Sequence, residues 1–264
     1  MLDLGGNAVM ERVKGEARVR LAQSGLREMY QAGSAKVMLP KTDAVMPEVV
    51  FLNTAGGLTS GDLLDYTLTL EAGVLALAAT QTAERAYRAT LGPARVDLRF
   101  DLGKGAQLNW LPQETILFDH SDLTRTTRVD LAGDAQVLIC EIIVLGRAAM
   151  GETVRSLNFT DRRDICRDGR LIHREAMSPV PEQWHSIATL NGQAAFASLV
   201  MTGQGLDAAL PALRAVLSGE AEASAFDGRL TLRALARDLF PLKRLMARAI
   251  TTLTKAPLPR VWQI

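Results

Sequence analysis

The chain has 264 residues, 48% hydrophobic and 22% charged, the profile of a folded protein, which excludes a disordered chain. Thirty basic residues stand against twenty-nine acidic ones, a net charge of +1, so no global field draws in nucleic acid or an anionic membrane surface. All-β chains of roughly 200 to 250 residues routinely form one domain, and with no linker, repeat or low-complexity stretch, residues 1–264 are read as a single domain.

The opening segment carries Asp3, Glu11, Glu16 and Glu28 and no run apolar enough for a signal-peptide core. No stretch of about 18 apolar residues occurs either, and the expectation is a soluble cytoplasmic protein. From about Lys36 to Phe159 short alternating runs broken by glycine, proline and polar turns predict strand after strand. Tyr66, Leu68 and Leu70 alternate with Thr67 and Thr69, and the run Val74 to Ala79 is expected to pair with them across Glu71-Ala72-Gly73. Val96, Leu98, Phe100 and Leu102 alternate with Asp97, Arg99 and Asp101. Gly103-Lys104-Gly105 then reads as a tight turn into Ala106, Leu108 and Trp110, predicting a hairpin.

Val137 to Leu145 differs because both of its alternating sets are apolar, which predicts a strand buried on both faces. Further strands are expected at Val154 to Phe159, Asp164 to Arg167, Arg170 to Ala176 and Ala194 to Met201, with Asp168-Gly169 as a hairpin turn. Helical periodicity arrives late. Leu206, Leu210, Leu213 and Leu217 share one face, with Pro211 inside the pattern and Gly219 placed to end it. Asp238 reads as the N-cap of a helix carrying Leu239, Leu242, Leu245, Met246, Ala249, Ile250 and Leu253, with Pro241 in its first turn and Pro257 and Pro259 beyond its end.

The two cysteines, Cys140 and Cys166, have no metal or redox spacing, and His120, His173 and His185 are scattered. The segment Gly56-Gly57-Leu58-Thr59-Ser60-Gly61-Asp62 has its outer glycines at phosphate-loop spacing. Asp62 and Leu63, however, stand where such a loop needs Lys and Ser or Thr, and a strand follows instead of a helix. Its readings are a glycine-bearing turn between strands or a close backbone passage with Asp62 facing a cation path. Glu141 interrupts an apolar strand and demands an ion pair, with Arg147 or Arg88 as candidates, or a functional setting. Glu175 shares a strand face with Leu171 and His173. Glu114 and Asp119 could be imagined as an acid/base pair for hydrolysis, and Thr80 to Arg88 as a polar strand end or a partner contact.

Several of these segments, in this order, resemble the UreD (UreH) family of urease accessory proteins. They are Asn53-Thr54-Ala55-Gly56-Gly57 with Gly61-Asp62, the run Thr80 to Arg88, Trp110-Leu111-Pro112-Gln113-Glu114-Thr115 through Asp119, Glu141 with Leu145-Gly146-Arg147, and Pro259-Arg260-Val261-Trp262. Departures from the family pattern are Ser60 for a glycine, Thr54-Ala55 for a double proline, and His120 after Asp119 where glycine is common. The resemblance implies a mainly β fold with β-helix-like layered sheets and two C-terminal helices packed on them. It further implies a non-enzymatic scaffold that joins UreF and the GTPase UreG, docks on apo-urease and assists nickel insertion, with no tightly bound cofactor and only transient Ni²⁺. An internal acidic tunnel is proposed in the family as the nickel route, and Asp62, Glu141 and Glu175 match its positions. Carboxylate oxygens bind a borderline metal only modestly, which suits passage. The competing readings are a carbohydrate-active enzyme, poorly matched by 5% aromatic residues, and an adaptor with no metal contact.

Overall fold

The structure is a computed structural model that describes residues 12–41, 46–147, 150–184 and 186–262; His185 lies outside the described residues. Two sheets face each other. The first runs, edge to edge, through β14 (Arg170–Met177), β13 (Asn158–Arg167), β11 (Asp122–Leu131), β8 (Ala94–Leu102), β5 (Leu63–Leu70), β1 (Lys14–Ala22) and β2 (Gly25–Gly33). The second runs through β16 (Ala221–Phe226), β17 (Arg229–Ala236), β15 (Ala195–Thr202), β12 (Gln136–Leu145), β9 (Gln107–Trp110), β6 (Leu75–Thr80), β4 (Glu48–Asn53) and β3 (Ala35–Met38). The short β10 (Thr115–Leu117) pairs with β12, and β7 (Glu84–Ala86) pairs with β10.

The middle of the first sheet and the β4-β6-β9-β12 run of the second are parallel, whereas β12, β15, β17 and β16 pair antiparallel. Leu63 lies opposite Arg95, and Arg95 opposite Thr124, so β5, β8 and β11 stack in register; β6, β9 and β12 do the same across the core. The chain therefore winds as coils, each giving one strand to each sheet, which is a β-solenoid-like stack and bears out the layered β architecture.

That winding corrects two expected pairings. β5 does not pair with β6, and β8 and β9 do not form a hairpin; each pair crosses from one sheet to the other. Alternation with one buried face is common to a hairpin and to an arch between sheets, so the pattern could not separate them. The turns settle it, because their backbones bond to the neighbouring coil: the Gly103 N–H donates to Leu70 O at 2.8 Å, Gly73 to Lys104 O at 2.9 Å and Ala132 to Leu102 O at 2.9 Å. The hairpin expected at Asp168-Gly169 is present, joining β13 and β14 with positive φ at both turn residues (48° and 78°). Of the strands expected at Val154 to Phe159 and Asp164 to Arg167, Asn158, Phe159 and the whole of the second fall in one strand, β13, and Val154 to Leu157 lead into it outside any strand. Strands also extend beyond the expected stretch, to β1 and β2 before Lys36 and to β16 and β17 between the helices.

β12 is buried along nearly its whole length. Val137, Ile139, Ile143 and Leu145 join the core between the sheets, whereas Leu138, Cys140, Ile142 and Val144 join a second core beneath α1 (Leu210–Leu217) and α2 (Leu239–Thr254). The first expected helix begins as a 3₁₀ turn at Leu206–Ala209, so Pro211 falls in the first turn of α1 and breaks no internal bond. Asp238 caps α2 by accepting from the Phe240 N–H at 2.9 Å. Among the described residues no helix is long and apolar enough to cross a membrane.

Candidate functional site

Strand alternation sends Glu141 from β12 to the same side as Ile139 and Ile143, into the space between the sheets, where it is 2% exposed. A carboxylate there must be paired. Oε1 accepts from Trp110 Nε1 at 2.9 Å and Oε2 from Arg125 Nη1 at 2.7 Å. The partner is thus Arg125 of β11, not Arg147 or Arg88: Arg147 binds Glu152 at 2.8 Å and Arg88 lies exposed on a loop.

Arg125 also forks Asp161 of β13, with Nε at 3.0 Å and Nη2 at 2.8 Å. Two residues on, and so on the same face, Arg163 lies 3.5 Å from Asp161 and 3.3 Å from Glu175 of β14. Glu175 receives the Ser198 hydroxyl at 2.7 Å and the largely exposed Arg233 at 2.9 Å. Glu141, Asp161 and Glu175 therefore alternate with Arg125, Arg163 and Arg233 in one row that runs from the centre of the molecule to its surface. Burial pushes the Asp161 carboxyl up, but Arg125 and Arg163 outweigh it and hold the group below the usual carboxylate range. Burial opposes the charge on Arg125 too, and Asp161 and Glu141 reverse that, raising its pKa. The three carboxyl groups of the row are matched by three guanidinium groups.

A cavity of about 40 Å³ sits at the inner end, bounded by Glu141, Arg125, Tyr66, Thr80, Thr115 and Glu84, with room for a few water molecules. At the outer end a cleft of about 540 Å³ is lined by Glu175, Ser198, Arg233, Trp184 and Phe196. Glu141 and Glu175 are thus brought into one connected system. Asp62 is not part of it. That side chain, 3% exposed, holds the glycine-bearing loop, Oδ1 accepting from Val13 N at 2.9 Å and Oδ2 from Thr59 N at 2.8 Å.

Glu84 is a site residue that the sequence places on a polar strand end or a partner contact. Asn53 Nδ2 lies 3.3 Å from each of its oxygens, and no ion pair reaches it among the described residues. Burial pushes its carboxyl up to about 7, against the Asn53 bond and with a further push from Asp62. It borders both the central cavity and a smaller pocket lined by Asn53 and Gly56. Nothing in the alternation of Glu84, Arg85, Ala86 and Tyr87 marks it as interior.

The tryptophan-proline block has a structural role. Trp110 donates to Glu141, Glu114 pairs with Lys243 of α2 at 3.0 Å, Gln113 bonds both Lys243 and the Val261 carbonyl, and Trp262 Nε1 donates to Leu111 O at 2.9 Å. Asp119 instead accepts from the Arg155 and Ser156 N–H groups at 2.8 and 3.0 Å, so Glu114 and Asp119 serve separate structural bonds. His120 adopts φ 62°, the left-handed conformation that glycine reaches without strain. Ser60 Oγ accepts from Thr90 N and Leu91 N, a loop contact glycine could not make. Among the described residues no group of three His, Cys, Asp or Glu side chains is arranged to hold a metal ion.

The family model described as "UreD urease accessory protein" matches residues 13–263. The chain is 49% identical over 258 residues to the urease accessory protein UreD of Jannaschia sp. (strain CCS1), covering 96% of this chain and 97% of the relative. It is 49% identical over 261 residues to the UreD of Paracoccus denitrificans (97% and 94% covered) and 43% identical over 253 residues to that of Rhizobium leguminosarum bv. trifolii (94% and 93%). With family-wide coverage joined to the layered fold, the chain belongs to the UreD family of urease accessory proteins.

Proposed function

We propose that the protein is a non-enzymatic cytoplasmic scaffold of urease maturation that joins UreF and the GTPase UreG, docks on apo-urease and assists nickel insertion, with Ni²⁺ as transient cargo. The observation that supports a metal-handling role is the buried row from the cavity at Glu141 to the cleft at Glu175. Carboxylate oxygens bind Ni²⁺ weakly enough to release it. Arg125 keeps two bonds to Asp161 when its single bond to Glu141 opens, so Glu141 is the carboxylate most readily given over to a cation. Asp62 would serve such a path from the loop side, through its field on Glu84.

Equilibrium dialysis with nickel and urease activation, each with Asp62→Ala, Glu141→Ala and Glu175→Ala, test the path. Loss of activation with the partner complex intact is expected for Glu141→Ala and Glu175→Ala. Unchanged binding and activation in all three would leave a purely structural adaptor, a reading favoured by the arginine neutralisation of the row. Co-purification with UreF, UreG and apo-urease tests the scaffold role itself, and no complex under activating conditions would sink it.

A further inference from the structure

The loops that link the second sheet to the first all emerge at one end of the strands, and hydrogen bonds knit them side by side. Thr59 Oγ1 donates to Arg88 O at 2.8 Å, Ala89 N to His120 O at 2.9 Å, His120 N to Ser156 O at 2.6 Å and Asp119 N to Glu152 at 3.2 Å. Tyr87 packs edge-on against Phe118 with ring centroids 5.1 Å apart, and Arg147 lies 4.7 Å over the same Phe118 ring. The result is one continuous surface.

Its charges are sorted. The loops and the adjoining β7 carry four carboxylates, Asp62, Glu84, Asp119 and Glu152, and each is used inside them. Asp62 and Asp119 hold backbone N–H groups, Glu84 is half-buried and accepts from Asn53, and Glu152 is bound by Arg147. Arg85, Arg88 and Arg155 form no ion pair with the carboxylates of these loops among the described residues, and Arg88 and Arg155 are exposed. Beside them stand large apolar groups with no cover: Leu91 and Met150, each 74% exposed, and Tyr87 at 41%.

From this we infer that the loop end is a docking surface for an acidic protein surface. Exposed arginine, tyrosine and methionine around apolar anchors are the composition of a protein interface. A nucleic-acid groove would need a longer basic track. The inference rests on the scaffold reading and adds where, and by what chemistry, one partner is held.

The test compares the wild type with Arg88→Glu/Arg155→Glu and with Leu91→Asp for binding to the UreF and UreG complex and to apo-urease at low and high salt. A control, Arg27→Glu/Arg170→Glu, makes the same change in net charge on β2 and β14. At least a tenfold loss of affinity toward one partner is expected for both loop variants, with a flatter salt dependence for the arginine pair, an unchanged melting temperature, and no effect of the control. Wild-type affinity of both loop variants for every partner overturns the docking surface and leaves the scaffold reading standing. A wild-type chain that binds none of these proteins overturns both. Retention of the wild type by nucleic acid alone overturns the acidic-protein assignment.

Discussion

Asp161 is a buried carboxylate and Glu84 a half-buried one, and they sit on opposite sides of the usual range. Asp161 lies between two guanidinium groups and stays ionised, whereas Glu84 has an amide partner and is raised by burial to about 7. For Glu84 the folded-state pKa exceeds the unfolded value of 4.5. Its contribution to stability is therefore fully present below the unfolded pKa and is lost as pH rises through about 7. Glu84→Gln keeps an acceptor for Asn53 and removes the ionisation. Thermal melts should show the variant more stable than wild type at pH 8, by up to about 3 kcal/mol, with the gap closing as the pH falls toward about 5. A gap independent of pH would rule out this account. The sequence revealed Glu141 because an acid inside an apolar run breaks a pattern. It hid Arg125, Asp161 and Arg163, because arginines and aspartates on strands that also carry Arg128, Asp130, Arg162 and Asp164 look like solvent-facing residues. Only the register of β11 and β13 turns one set inward.

At the level of elements, alternation identified most strands but not their partners. A hairpin and an arch have the same strand patterns and similar glycine-bearing turns, so pairing was legible only at Asp168-Gly169, where the composition favours a two-residue turn. The arch after β8 needs Gly103 for a reason of space. A Cβ there would lie 2.7 Å from the backbone nitrogen of Ala72 in the neighbouring coil, an atom that cannot swing aside. Gly103→Ala should therefore destabilise the fold by about 1–3 kcal/mol, measured by urea denaturation. An effect within about 0.5 kcal/mol, as at an unconstrained surface position, would show that the turns are not closely stacked. The helices were legible because their signals are local: α1 shows in its spaced leucines, and for α2 Asp238 needs only Phe240 to do its work.

For the whole molecule, the parallel pairing of β5 with β8 and of β8 with β11 means that every rung of these ladders joins segments separated by an entire coil. Such non-local closure is slow, because loop entropy is lost before any pairing is gained. Refolding from urea should take seconds or longer and pass through a populated intermediate, seen in stopped-flow fluorescence of Trp110 and Trp184, which are buried in the core between the sheets. Single-exponential millisecond refolding would contradict it. The ladders of the finished chain end in the antiparallel edge strands β2 and β14, and the second sheet closes beneath α1 and α2. During synthesis those C-terminal covers are made last. Until β14 and the helices have emerged, the newest coil presents an open row of parallel-strand hydrogen-bonding groups, so a ribosome paused within β11 or β12 holds a chain primed to pair with a neighbour's unfinished edge.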